Sequence, residues 1–140
     1  TGATHTVYAL LGDGELDEGL VWEAAASAAK FKLDNLVAIV DRNNLQNDGR
    51  ADDIMPMEPI DRKFEAFNWR VIKIDGHDMA EVVASLELAR TRSGRPTCII
   101  ARTIKGKGVS FMEDKREWHG KPPSDDEKAK ALAEIEGGRS

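Results

Sequence analysis

Two turns in this 140-residue chain carry oxygen donors of the kind that hold a hard cation: Gly12-Asp13-Gly14 and Asn43-Asn44. One carboxylate (Asp13), one side-chain amide oxygen (Asn43) and a backbone carbonyl beside them suit Mg²⁺. That ion wants roughly six oxygens in an octahedron and is usually shared between a few protein ligands and substrate phosphates. Gly12 and Gly14 flank the acid, and without a Cβ their backbone can come close to a phosphate. The chemistry suggested is a metal-bound diphosphate. Taken singly, each turn has a plainer reading. A Gly-Asp-Gly sequence is a common turn, and an Asn pair often serves a turn that needs left-handed backbone.

The elements around these turns bring them together. The apolar run Val7-Tyr8-Ala9-Leu10-Leu11 reads as a buried strand over 6–11 that ends at Gly12, and Leu36-Val37-Ala38-Ile39-Val40 ends in the same way at Asp41. Between them, residues 18–32 are rich in Ala with apolar residues at helical spacing. A strand, helix, strand unit with a right-handed crossover gives two parallel strands. Their carboxyl ends share the edge of the sheet where open α/β folds bind ligands. Asp13 and Asn43, thirty positions apart, should therefore be neighbours.

This pattern resembles the thiamine diphosphate-binding motif, and the flanking residues GELDEGLVWEAA, KLDNLVAIVD and NNLQNDG resemble transketolases. The likeness continues through TIKGKGVSFME and WHGKPPSDDE to nearly the end. It implies an α/β fold, a parallel sheet with helices on both faces, of which residues 1–140 form part of the diphosphate-binding domain. It implies Mg²⁺ ligation, with Ca²⁺ an alternative, by Asp13, Asn43 and the backbone carbonyl of Leu45. The implied cofactor-binding set is Gly12, Asp13, Gly14, Glu15, Asn43, Leu45 and His119. Family members often have Gly after the metal-ligating Asn, where this chain has Asn44; Asn is the non-Gly residue best suited to positive φ. His119 matches a histidine near the diphosphate and the substrate, thought to assist proton transfer or polarise the donor oxygen. Glu18 and Glu23 match acidic interface positions that communicate with a catalytic glutamate of the partner; on an ordinary helix they would be solvated charges.

The activity implied is transfer of a two-carbon ketol unit from a ketose phosphate to an aldose phosphate. Gly-Asp-Gly with Asn is shared by 2-oxo acid dehydrogenase α subunits and deoxyxylulose-phosphate synthases, but KLDNL, LQNDG and KGKGVSFME favour transketolase. A third reading is a non-catalytic α/β binding module that kept the motif; intact Asp13 and Asn43 count against it. The chain starts at Thr1, close to its first strand. The expectation is an amino-terminally truncated part of a split enzyme, inactive alone. The implied partner is a carboxyl-terminal, pyrimidine-binding subunit, in a dimer of heterodimers.

Residues 42–57 read as a long loop that contains the Asn43-Asn44 turn, and the rest of the chain reads as scaffold with one loop of interest. Glu58-Pro59 opens a short helix to about residue 67, with Phe64 and Phe67 in the core, since Pro suits a first helical position. Residues 69–74 form a strand near the sheet edge. Asp78 with Glu81 forms a capping box for a helix over 79–91, and a strand follows over 97–102. His77, just before that cap, reads as structural. Residues 104–123 form an active-site loop region, in which Lys105-Gly106-Lys107-Gly108 either cradles phosphate or is simply solvated. Residues 124–136 form a last helix with a second capping box, Ser124 to Glu127.

Composition sets outer bounds. Residues that are 41% hydrophobic and 32% charged are ordinary for a globular domain, and no run approaches the ~20 apolar residues of a membrane span. The net charge of −5 argues against a nucleic-acid surface. No stretch given reads as a secretory leader and the single cysteine, Cys98, sits in an apolar run, so the expected compartment is the cytoplasm.

Overall fold

Alternation of apolar residues along four short strands assigns one set of side chains to each face of a sheet. In the computed structural model, which describes residues 4–138, these strands are β1 (Val7–Gly12), β2 (Leu36–Arg42), β5 (Arg70–Asp75) and β6 (Thr97–Arg102). They pair in parallel in the order β1-β2-β6-β5. Ala38, Val40, Cys98 and Ile100 face one layer, made by α1 (Gly19–Lys30), α3 (Ile60–Ala66) and Trp69. Val37, Ile39, Ile72, Ile74 and Ile99 face the other, covered by Leu86 and Ala89 of α4 (Met79–Ala89). The expected parallel sheet with helices on both faces is what the chain forms.

The first layer is knitted by aromatic rings. Phe64 lies between Trp22 and Trp69, with ring centroids 5.3 and 5.4 Å away. The Trp69 indole N–H donates to the Ala25 carbonyl of α1 at 2.9 Å, and the Trp22 indole to Leu16 O at 2.8 Å. Both rings thus bury an apolar body and satisfy their one polar group.

Three expectations need correction. The run read as a buried strand forms β1 at a sheet edge, where Leu10 is 70% exposed on one face and, on the other, Leu20 of α1 next to Ala9 and Leu11 is 73% exposed. An apolar run reads alike in the centre or at the edge of a sheet; what lies beside it decides. Residues 42–57 are not a plain loop. They hold the hairpin β3 (Leu45–Gln46) and β4 (Gly49–Arg50) and the single helical turn α2 (Ala51–Ile54). Finally, Asp78 caps α4 by accepting from the Ala80 and Glu81 amides, but Glu81 does not return the bond. Its carboxylate reaches the Asp75 amide at 2.8 Å instead. The box at Ser124 is reciprocal and opens α5 (Asp125–Gly137).

Candidate functional site: a buried aspartate and two asparagines at the sheet edge

Parallel register decides where the site lies. Gly12 pairs with Asp41 across β1 and β2, so the turns that follow both strands emerge side by side. After β1 the chain tightens into a 3-10 turn, Asp13–Asp17, which buries Asp13 at 3% exposure. After β2 it turns through Asn43 and Asn44, and Asn44 adopts a left-handed backbone at φ 61°. The two turns meet: the Asn44 amide donates to Asp13 Oδ2. The neighbourhood expected for Asp13 and Asn43 is present.

Asp13 is held by three donors. Oδ1 accepts from the Gly14 amide at 3.0 Å, while Oδ2 accepts from Asn44 and from Arg42 Nη1 at 3.0 Å. Asn43 Oδ1 accepts from the Leu45 amide at 3.0 Å, an Asx turn that fixes its side chain. Leu45 is buried, at the start of the hairpin. Among the described residues no group of three or more His, Cys, Asp or Glu could hold a metal ion. A site of one carboxylate, one amide oxygen and one backbone carbonyl would be of a different kind, and that oxygen-only donor set fits a hard divalent cation.

The glycines meet neighbours in this arrangement. A Cβ on Gly14 would lie 2.7 Å from Gln46 Oε1, so Gly14 lets the β3–β4 hairpin close over the 3-10 turn. The Gly12 amide donates to Glu15 Oε2 at 2.6 Å. Glu18, at the start of α1, and Glu23 within it are both exposed on the chain by itself.

The 104–123 region curls over its own turns. Gly106 and Gly108 take φ of 72° and 90°, and the Gly108 amide donates to Glu113 Oε1 at 2.9 Å, with Lys107 Nζ 3.8 Å from the same oxygen. The region is tied to the hairpin by Arg50 to Asp114 at 2.6 Å and by Arg116 to Asp48 O at 3.0 Å. These ties hold residues 114–116 against the β3–β4 hairpin, and His119 follows in an exposed position. Its backbone N–H donates to Arg116 O, and its ring has no hydrogen-bond partner among the described residues. His77 is structural as expected: its Nε2 accepts the Ile104 amide at 2.7 Å, pinning the start of the region.

Sequence reasoning missed Arg42. At the end of β2 it donates to Asp13, to Asp52 Oδ1 at 2.7 Å and to Glu58 Oε1 at 3.1 Å. Burial works against the guanidinium charge, but Glu58, Asp52 and Asp13 outweigh it and raise its pKa above the ordinary value. Burial likewise pushes the Glu58 carboxyl up, yet the Ile60 amide and Arg42 prevail and hold it below the usual carboxylate range. Beside Arg42 a cleft of about 660 Å³ opens at the carboxyl ends of β2, β5 and β6, lined by basic and acidic side chains alike.

Comparison with known proteins agrees with this fold. Residues 2–137 match the family described as transketolase, thiamine diphosphate binding domain. The chain is 44% identical over 132 residues to a 6-deoxy-6-sulfo-D-fructose transketolase subunit of a Clostridium species, covering 94% of this chain and 48% of that protein. It is 47% identical over 135 residues to an apulose-4-phosphate transketolase subunit of Actinobacillus succinogenes, covering 96% and 49%. It thus spans about half the length of these curated relatives. Among solved structures, Campylobacter jejuni transketolase superposes with a TM-score of 0.87 at 36% identity, covering 94% of this chain and 21% of that one. On the match to its thiamine diphosphate-binding domain, the chain belongs to the transketolase family.

Proposed function

We propose that this chain supplies the metal- and diphosphate-binding side of a transketolase that moves a two-carbon ketol unit from a ketose to an aldose phosphate. The observation that carries the reading is the meeting of buried Asp13 with the Asn43-Asn44 turn at the carboxyl edge of β1 and β2. Asp13, Asn43 and the Leu45 carbonyl would hold Mg²⁺, or Ca²⁺ in its place. Gly12, Gly14 and Glu15 would shape the backbone facing the diphosphate. When bound, thiamine diphosphate supplies the thiazolium carbon that attacks a ketose carbonyl.

His119, exposed and without a ring partner among the described residues, is available to hold or move a proton on the substrate. Glu18 offers a carboxylate to a second chain. That chain would be a pyrimidine-binding subunit, the two forming a dimer of heterodimers in the cytoplasm. Among the described residues no helix is long and apolar enough to cross a membrane. The two relatives named for a sulfonated ketose and for apulose 4-phosphate suggest donors with an anionic end, and we carry that class to this chain.

The test is calorimetric titration of thiamine diphosphate, with and without Mg²⁺, into the chain mixed with its pyrimidine-binding partner. Saturable binding that requires Mg²⁺ and disappears in Asp13→Ala is expected. Binding unchanged by that substitution refutes the metal assignment, and no binding by folded wild-type protein refutes the reading.

A further inference from the structure

Arg42 is 12% exposed and contacts three acids, Asp13, Asp52 and Glu58, which lie 29, 10 and 16 positions from it in sequence. A guanidinium presents five donors in a rigid planar fork and so can serve three carboxylates at once. Two of these contacts bear on the metal turn. The bond to Asp13 occupies Oδ2, which already accepts from Asn44; a carboxylate has about four lone-pair sites, two per oxygen. Oδ2 is therefore full, whereas Oδ1 accepts only from Gly14 and keeps one lone pair. The bond to Asp52 fixes the far end of the same loop. There the Asp52 amide donates to Asn44 Oδ1 at 3.0 Å and the Ala51 amide to Asn44 O at 3.1 Å.

We propose that Arg42 is a positioning residue for the cation: it saturates Asp13 Oδ2 so that Oδ1 is the coordinating oxygen, and it locks the loop carrying Asn43 and Leu45. This rests on the metal reading given above. The net charge of the cluster does not oppose the role. Three carboxylates around one guanidinium leave two negative charges, which a divalent ion balances.

Two opposite signs make the proposal testable. By Coulomb's law alone, deleting a positive charge beside a cation site tightens Mg²⁺ binding. Loss of the residue that orients a ligating carboxylate weakens it, typically by about 10-fold or more. The experiment is a Mg²⁺ titration by calorimetry, at saturating thiamine diphosphate, of the chain with its pyrimidine-binding partner. It compares wild type, Arg42→Met and Arg42→Lys.

The expected result is a Mg²⁺ dissociation constant raised about 10-fold or more in Arg42→Met and by less in Arg42→Lys. Thiamine diphosphate affinity should return to the wild-type value once Mg²⁺ is saturating. Unchanged or tighter Mg²⁺ binding overturns the proposal while leaving the metal reading intact. An equal loss of metal and cofactor affinity that excess Mg²⁺ does not repair means a collapsed loop, and also overturns it. If Arg42→Met does not fold, Arg42→Lys decides by the same criteria. Wild-type protein that binds no Mg²⁺ overturns both this proposal and the reading beneath it.

Discussion

Replacing Asp13 by Asn keeps the size and shape of the side chain and removes its charge, so the structure gives a magnitude for what that charge does for the fold by itself. An Asn can present its single oxygen at the Oδ2 position, keeping the bonds from Asn44 and Arg42. Its amide NH₂ then faces the Gly14 N–H, donor against donor, where Oδ1 had accepted at 3.0 Å. The alternative flip is worse, since NH₂ would face both Asn44 and Arg42. The favoured flip loses one hydrogen bond and the charge assistance of a second, together roughly 2–3 kcal/mol. Breaking a buried ion pair outright costs about 3–5 kcal/mol, an upper bound here because Arg42 keeps Asp52 and Glu58 as partners.

Urea unfolding followed by circular dichroism, with chelator present, should therefore place Asp13→Asn about 2–3 kcal/mol below wild type, or roughly 5–12 °C lower in Tm. Equal or greater stability of the variant would refute the reasoning. It would mean that the fold holds this carboxylate under strain for a ligand, in place of the three-donor support described above.

Two further outcomes follow from the core. Trp69→Phe deletes the hydrogen bond to Ala25 O and part of the ring packed on Phe64, and should cost about 2–3 kcal/mol in urea unfolding. A loss below about 0.5 kcal/mol would show that the α1 tie contributes nothing. Cys98 is fully buried, and burial pushes its thiol from 9.0 up to about 12. Because the folded value is the higher, the stability it contributes is whole below pH 9.0 and is lost as pH rises towards 12. Between about pH 7.5 and 10.5 wild type should lose about 2 kcal/mol more than Cys98→Ala; parallel losses would refute this.

What the sequence made legible follows from which forces act locally. The strand, helix, strand unit around Asp13 was readable because apolar runs and helical spacing are local signals, and parallel register then carries Gly12 to Asp41 with no further information. Asn44 was readable because left-handed backbone selects its residue type. The hairpin at 45–50 was not, since two-residue strands are too short for a period. What holds it is distant: Gln46 against Gly14, Arg50 with Asp114, and Arg116 with Asp48 O. Glu81 shows the same limit at closer range, where a nearby amide of Asp75 outcompetes the expected one.

Arg42 is the sharpest case, because its acids lie 29, 10 and 16 positions away and no spacing rule joins them. A basic residue at a strand end, directly before Asn43, was the one available signal. The residues that would touch a ligand are set by type and turn, and can be read from the chain. Those that aim them are chosen by the folded surroundings, which explains why the motif was visible and its support was not.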